Sequence, residues 1–463
     1  MVRGRAQVLI IGGGPAGSTA GGLLAKAGFE VTILERERFP RYHIGESLLP
    51  SCRPVLEQLG VWQKVAAAGF QPKGGAYYFW GPEEWEVRFR PGRDGSNAWQ
   101  VVRSEFDKLL LDHARELGVE VVEGVTVKTL DFRDGRPVAA SWAQTKDPEA
   151  RGRIEFDYLV DASGRGGVMA TKYLKNRAFH NVFRNVAAWS YWKGASRPDR
   201  GPDGAITVAS LPEGWFWVIP LHDGTMSVGL VTGRDTFNRR RGELGGTAAV
   251  YHEALRECTA VHDLLVNAEQ VSDIKVEQDY SYAATQFAGP GFLLSGDAAC
   301  FLDPLLSTGV HLATYSAMLG AAAIASVLRG EVTEEEAWDF YSVVYRRAYE
   351  RLLVLVSTFY ESYRGKEYHF YRAQQLSERD WDGLDLQAAF DRFVTGLADL
   401  DDAQDVYRRV KEHILGADSG NPNPLANLNR DHERQQAPLR PEKAIGGLYV
   451  VYEPRLGLRH AAS

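Results

Sequence analysis

The chain of 463 residues is too long for one ordinary core, so two closely joined domains are expected. Hydrophobic residues make up 44% and charged residues 24%, which is typical of a soluble globular protein. The formal net charge is −7 and no strongly basic stripe is present, which argues against a nucleic-acid-binding function.

Cysteine usage, histidine spacing and hydropathy argue against a disulfide-rich, metal-binding, secreted or membrane protein. Cys52, Cys258 and Cys300 are few and lack CxxC spacing, which indicates reduced thiols in a cytoplasmic protein. No metal-ligand spacing stands out among the 11 histidines, so no metal is expected. The apolar stretch 8–11 is too short for a signal peptide, and the Ala-rich run 312–328 predicts a buried helix rather than a membrane span.

The predicted elements alternate between strand and helix at first and then become β-rich. They are a strand at 8–11, a helix at 15–27, a strand at 30–34, a helix near 48–59, antiparallel strands over 76–102, a helix at 103–117, and strands at 119–132 and 154–161. A β-rich region at 183–285 with a helical insert at 238–267 follows, then a strand near 292–297 and a long helix from about 309. Beyond 334 the chain is predicted to be mostly helical, with loops or disorder at 416–443.

A glycine-rich turn connects the first strand to the first helix. The segment 12–17, GGGPAG, fits the pattern GxGxxG, and Glu35 ends the next strand 18 residues after Gly17. This context is the dinucleotide-binding fingerprint, although glycine-rich turns with a purely structural role also exist. Gly12 and Gly14 let the backbone approach a pyrophosphate, Gly17 permits close helix packing, and Glu35 is expected to bind a ribose.

Three later segments resemble, in content and order, the flavoprotein monooxygenase superfamily. They are VRSEFD at 102–107, DASG at 161–164 and GDA at 296–298. The resemblance implies that the cofactor is FAD and that Arg103 and Asp297 contact its ribityl and pyrophosphate portion. It also implies cofactor contacts for Pro15, Ala16, Arg36, Ser47, Val125 and Gly309. The alternatives are that Asp297 is a helix N-cap and that Arg103 is a solvated residue with Asp107 as its surface partner.

The predicted fold class is therefore α/β, or α+β overall. A Rossmann-like FAD-binding domain is interrupted by a β-rich substrate domain and followed by a mostly helical C-terminal region. The predicted ranges are 1–75, 100–182 and 286–333 for the FAD-binding domain, 76–99 and 183–285 for the β-rich domain, and 334–463 for the C-terminal region.

Two further motifs and one lysine resemble the FAD-dependent halogenases. GWFWVIP at 214–220 is similar to the family's WxWxIP signature, and FLDPLLSTG at 301–309 to its FxxPxxSxG pattern. Lys73 stands at the position of the family's essential lysine. The resemblance extends from about residue 7 to 328 and implies that the chain is a halogenase.

The chemistry of these residues agrees with that role. Trp215 and Trp217 alternate in a strand, so both indoles lie on one face and would keep an organic substrate away from the flavin; ordinary core packing is the alternative. Ser307, Thr308 and Gly309 start a helix, whose amides favour chloride, or else a phosphate or flavin carbonyl. Burial of Lys73 would lower its pKa and favour catalysis over the usual surface role.

By resemblance, a separate flavin reductase supplies reduced FAD, which reacts with oxygen and chloride to give hypochlorous acid. This oxidant passes behind Trp215 and Trp217 to Lys73, which holds it as a chloramine or by a hydrogen bond, and chlorine is transferred to an electron-rich aromatic carbon. Such enzymes serve secondary metabolism, including antibiotic biosynthesis.

Leu306 stands where halogenases of free tryptophan carry an acidic residue, and the chain is shorter than theirs. The resemblance thus favours a phenolic or pyrrolic acyl group tethered to an acyl or peptidyl carrier protein. An aromatic monooxygenase, a flavin-dependent prenyl reductase and a non-catalytic flavin-binding scaffold are the alternatives.

Overall fold

The computed structural model describes residues 2–89, 98–361 and 439–461. The α-helices in these ranges are α1 Pro15–Lys26, α2 Arg53–Leu59, α3 Trp62–Ala67, α4 Arg103–Glu116, α5 Arg234–Leu244, α6 Thr247–Glu257, α7 Thr259–Leu265, α8 Gly309–Leu328 and α9 Glu334–Glu361. The strands are β1 Arg5–Ile11, β2 Val31–Glu35, β3 Gln71–Pro72, β4 Gly75–Trp80, β5 Glu83–Arg88, β6 Trp99–Gln100, β7 Glu120–Glu123, β8 Val125–Arg133, β9 Arg136–Gln144, β10 Arg151–Asp161, β11 Arg177–Lys193, β12 Ile206–Leu211, β13 Gly214–Pro220, β14 Thr225–Gly233, β15 Glu269–Gln270, β16 Lys275–Ala284, β17 Ala288–Gly289, β18 Phe292–Leu294, β19 Cys300–Phe301, β20 Leu448–Val451 and β21 Gly457–His460.

The first large sheet is built around parallel strands. Its central path runs β17–β18–β10–β1–β2–β7, and the hairpin of β8 and β9 joins it through β10. β1 pairs in parallel with β2 and β10. Val8, Leu9 and Ile10 in β1 are fully buried, as an unbroken apolar run predicts for a central parallel strand.

The second large sheet is mainly antiparallel, in the order β19–β16–β11–β14–β13–β12–β4–β5, with β15 beside β11. Its strand β13 separates two cores because successive side chains point to opposite faces. Trp215 and Trp217 pack in the core shared with the parallel sheet. Phe216 and Val218 pack in a smaller core with helices α6 and α7. The predicted placement of both indoles on one face is therefore confirmed.

Helix α8 runs through the protein interior. It packs against α1 and α9, and it is long and apolar enough to cross a membrane, but 94% of its most apolar window is buried within the protein. The burial agrees with the sequence prediction of an Ala-rich core helix rather than a membrane span.

Some predicted boundaries were wrong. The helix expected near 48–59 begins only at Arg53, after a 3₁₀ turn over Pro50–Cys52. A helix starting at 48 would place Pro54 in its interior, where proline removes a backbone donor and clashes with the preceding turn.

Near the C-terminus, helix α9 agrees with the prediction, whereas the hairpin of β20 and β21 was not predicted. Most of the predicted loop at 416–443 lies outside the described residues, and Pro441–Lys443 forms a 3₁₀ turn.

The strands of the first sheet all fall within the ranges predicted for the FAD-binding domain. The second sheet also draws on those ranges, since β11 begins at Arg177 and β19 comprises Cys300–Phe301. The division into domains remains a proposal.

We expect Gly229→Ala to destabilise the protein by about 1–3 kcal/mol, as overpacking of a core usually does. Gly229 lies opposite Trp217 in the ladder, and an added Cβ would be 2.0 Å from the indole Cζ2. The control is Gly242→Ala in helix α5, which meets no atom within 4 Å and should stabilise by about 0.5–1 kcal/mol. Denaturant unfolding of both variants measures the difference, and equal stabilities would contradict the packing described.

Candidate active site

The glycine-rich turn after β1 has no room for side chains. Gly12 has φ +103°, and a Cβ there would lie 2.3 Å from the carbonyl oxygen of Ala162. A Cβ on Gly17 would lie 1.9 Å from the carbonyl oxygen of Gly12. Helix α1 then begins at Pro15 without a side-chain cap, so its first amides are open to an anion. This cradle fits the pyrophosphate of a dinucleotide.

Glu35 ties the end of β2 to this turn. Its Oε2 accepts a hydrogen bond from the Gly13 amide at 2.6 Å, and its Oε1 accepts one from the Glu37 amide at 2.8 Å. Ribose binding by Glu35 stays a prediction. The Arg36 side chain is exposed beside Glu37, and Val125 is buried at the start of β8.

Arg103 and Asp107 form a buried ion pair, not the surface pair considered from the sequence. The guanidinium donates to both carboxylate oxygens at 2.8 and 3.0 Å, and Nη1 donates to the carbonyl oxygens of Ile44 and Gly45 at 2.7 and 3.1 Å. Arg41 Nη1 lies 3.2 Å from the same carboxylate. Burial alone would raise the pKa of Asp107, but Arg103 and Arg41 lower it below its usual range. Arg103 thus fixes the loop that carries Ile44 and Gly45.

Asp297 lies in the 3₁₀ turn that follows β18 and is partly exposed. It caps no helix, since Ser295 precedes the turn and no side chain caps it. Burial raises the pKa of Asp297, and the charges of Arg165 and Arg103 oppose that rise. The carboxylate makes no hydrogen bond to another residue in the part of the chain that the structure describes, which leaves it available to ribityl hydroxyls.

Four buried hydroxyls have no partner among the described residues: Thr19 Oγ1, Ser47 Oγ, Ser51 Oγ and Thr308 Oγ1. Two of them, Ser47 and Thr308, were predicted to contact ligands, and these residues are 5% and 1% exposed. A buried hydroxyl without a partner is costly, so such atoms indicate a place for a polar ligand. Together with the glycine cradle and the open Asp297 carboxylate, they fit FAD.

Lys73 is buried, 2% exposed, and its Nζ donates to the Leu48 carbonyl oxygen at 2.9 Å. Burial lowers the pKa of Lys73 to about 7. The Nζ lies 5.3 Å from the centroid of the Phe89 ring. The amine is thus close to half neutral at neutral pH, as a nucleophile requires.

Lys73 and the Ser307–Thr308 turn border the same cavity, whose volume is about 50 Å³. Ser307 has φ +59°, and Gly309 begins the 20-residue helix α8 immediately after Thr308. The turn is held from beneath by Asp303, whose carboxylate accepts from the Leu305 amide at 3.0 Å. The positive end of α8 therefore lies at the cavity that Lys73 also lines.

Trp215 and Trp217 are buried and do not line the cavity. Trp215 Nε1 donates to the hydroxyl of Tyr360 at 2.7 Å, and Trp217 Nε1 donates to Ser227 Oγ at 3.2 Å. Their ring centroids are 6.1 Å apart. This is well-ordered aromatic core packing, and a barrier role for the pair stays a prediction.

Some site residues were missed from the sequence. Arg41 reaches the glycine turn from a loop, and Leu352 and Leu355 of α9 line the Lys73 cavity. These residues belong to no sequence motif, and only the folding of the chain brings them to the site. His43, in the same loop as Arg41, bonds the Ile44 carbonyl through Nδ1, and burial lowers the pKa of its imidazole to about 4.

Replacing Gly17 by Ala should abolish tight binding of the dinucleotide, because its Cβ would displace the backbone of Gly12. Gly4→Ala is the control, since nothing lies within 4 Å of that position. Flavin fluorescence titration measures the binding, and unchanged affinity in the Gly17 variant would show that the turn does not hold the cofactor.

Comparison with known proteins agrees with this geometry. Residues 5–353 match the FAD binding domain family. The chain is 42% identical to tryptophan 2-halogenase of Chondromyces crocatus, covering 98% of this chain and 93% of the relative. It is 41% identical to flavin-dependent halogenase armH2 of Armillaria mellea, covering 85% and 79%.

Solved structures give the same result. The chondrochloren halogenase CndH, a myxobacterial protein, superposes with a TM-score of 0.76 at 31% identity over 95% of this chain and 99% of that one. The flavin-dependent halogenase CmlS superposes with a TM-score of 0.79 at 34% identity over 99% and 84%. The hydroxylase, prenyl reductase and scaffold alternatives are therefore set aside. The chain belongs to the FAD-dependent halogenases.

Proposed function

We propose that this enzyme chlorinates a free, electron-rich aromatic molecule and that Lys73 transfers the chlorine. The proposal is supported chiefly by one cavity that both Lys73 and the Ser307–Thr308 turn line. Bound reduced FAD, supplied by a separate flavin reductase, would furnish with oxygen and chloride the hypochlorous acid that this cavity receives.

Chloride is proposed to bind at the start of α8. The amides of Thr308 and Gly309 stand at the positive end of the helix, where an anion is stabilised. The left-handed Ser307 redirects the chain immediately before them. This support is electrostatic and applies to bromide as well as to chloride.

Lys73 is proposed to act as a neutral amine. Its pKa of about 7 follows from burial, and Leu48 holds the Nζ in place. The neighbouring Phe89 and Leu306 are apolar and limit access of water. The cavity has a volume of about 50 Å³, enough for a small polar molecule such as hypochlorous acid to reach the amine. Trp215 and Trp217 are proposed to keep the acceptor from the flavin.

The acceptor is proposed to be activated by its own substituents. Leu306 borders the cavity where an acid would be needed to activate a less reactive substrate. Asp303, whose pKa burial raises to about 6, is engaged by Asn185 and Tyr360 and is therefore not available as a base.

A free acceptor replaces the carrier-tethered one favoured from the sequence. The argument from chain length loses its force, because this chain covers 93% of a relative that is named for tryptophan. Another relative, 41% identical, is named sulochrin halogenase. Both names describe small molecules rather than carrier proteins.

We expect Lys73→Met to abolish chlorination of the acceptor, while FAD binding and hypochlorous acid formation continue. Lys73→Arg should be equally inactive, because a guanidinium cannot become neutral at any accessible pH. Mass spectrometry measures the chlorinated product, and a dye that reacts with hypochlorous acid measures the free oxidant. Full chlorination by the Met variant would remove Lys73 from the mechanism, and an active Arg variant would favour hydrogen bonding over chloramine formation.

The acceptor is tested by supplying reduced FAD and chloride with tryptophan, phenolic acids and pyrrolic acids, each free and loaded on a carrier protein. The free compounds should be chlorinated with the higher kcat/KM. Turnover confined to carrier-loaded acids would contradict the free-acceptor proposal and restore the carrier-tethered one.

A further inference from the structure

A chain of hydrogen bonds connects the buried carboxylate of Glu46 to the protein surface. Glu46 is 2% exposed, and its Oε1 accepts from the hydroxyl of Tyr191 at 2.7 Å. The Tyr191 oxygen lies 3.0 Å from the hydroxyl of Tyr42, whose side chain is 47% exposed. Trp189 Nε1 donates to the same Tyr42 oxygen at 2.5 Å.

The hydrogen bond to Glu46 fixes the direction of this chain. Tyr191 has a single hydroxyl proton and donates it to Glu46, so the Tyr191 oxygen accepts from Tyr42. The Tyr42 oxygen in turn accepts from the Trp189 indole, which can only donate. All the donors therefore run inward from the surface.

The inner end of the chain is open. Glu46 Oε2 is buried without a hydrogen-bond partner in the described part of the molecule. The loop that carries Glu46 is bound by Arg103, and two residues further on the Leu48 carbonyl holds Lys73. The Arg103 charge also influences the Glu46 carboxylate, and the same loop segment holds the proposed catalytic amine through Leu48.

We propose that Glu46, Tyr191 and Tyr42 form a relay that carries protons from solvent to the site where hypochlorous acid is formed. The inference rests on the proposed function. Conversion of reduced FAD (FADH2), O2 and chloride into FAD, hypochlorous acid and one water consumes one proton. In this conversion FADH2 and chloride each lose two electrons and O2 gains four, so one proton must enter the closed site in every turnover.

The relay balances at each step. Glu46 releases the proton on Oε2 into the site and receives the Tyr191 proton on Oε1. Tyr191 then receives the proton of Tyr42, and Tyr42 receives a proton from solvent. Burial raises the pKa of Glu46 to about 7, while the Tyr191 hydroxyl, the nearby Ser227 hydroxyl and the Arg103 charge oppose that rise and Asp223 adds to it. A donor with a pKa near the working pH transfers protons efficiently.

The first test uses flavin-free protein. Infrared titration should show a protonated carboxylic acid that ionises near pH 7 and is absent in Glu46→Gln. Tyr191→Phe should move the midpoint upward, because it removes a hydrogen bond that lowers the pKa. Tyr158→Phe is the matched control, since Tyr158 also donates to a carboxylate, that of Glu334, outside the relay. A spectrum of Glu46→Gln identical to that of the unaltered protein would overturn the proposal.

The second test follows hypochlorous acid formation in the absence of acceptor, with a dye that reacts with hypochlorous acid. Glu46→Gln should be slower by about 100-fold and be partly restored by added formic acid, as expected for loss of a proton donor. Tyr42→Phe removes the outermost hydroxyl of the relay, which is also the acceptor of the Trp189 indole, and should slow the reaction by about 10-fold, with a larger solvent isotope effect.

Unchanged rates in Glu46→Gln and Tyr42→Phe would contradict the relay alone. Absence of hypochlorous acid in the unaltered enzyme would instead contradict the proposed function. Loss of chlorination in Lys73→Met with normal oxidant formation separates the two conclusions.

Discussion

The packing of helices α1 and α8 against each other is the constraint on which the site depends. The two helices meet at Gly296, where an added Cβ would lie 3.1 Å from Ala16 Cβ and 3.4 Å from Ala313 Cβ. The adjoining residue is Asp297, so a close helix contact places this carboxylate beside the start of α1. Because α8 begins at the Lys73 cavity, the same contact also places its positive end relative to the dinucleotide cradle.

Two buried charged groups in this region differ in whether an opposite charge compensates them. Arg103 and Asp107 are buried as a bidentate pair, which compensates much of the cost of removing two charges from water. Lys73 has a carbonyl but no carboxylate as partner in the described part of the chain, so its charge is not compensated. The first arrangement holds a loop in place, whereas the second favours the neutral amine that the proposed chemistry needs.

The sequence predicted those parts of the site that depend on local backbone geometry. The turn at 12–17, the alternation of Trp215 and Trp217, and the burial of α8 follow from steric limits and periodicity that act within a few residues. It could not predict the Tyr42–Tyr191–Glu46 chain or the α9 wall of the cavity, because their members are distant in the sequence and meet only in the folded protein. Arg103 shows the intermediate case: its partner was identified, but the burial of the pair was not.

Desolvation near Lys73 also affects the neighbouring thiol of Cys52, which an oxidant could attack. Cys52 lies close enough to influence the Lys73 amine, and burial raises the pKa of its thiol to about 11. The thiolate is the form that oxidants attack, so Cys52 is held in its less reactive state. The same dry environment favours the neutral form of both groups, and for the amine the neutral form is the reactive one. In the proposed mechanism, this one physical effect would favour chlorine transfer to the lysine over oxidation of the thiol beside it.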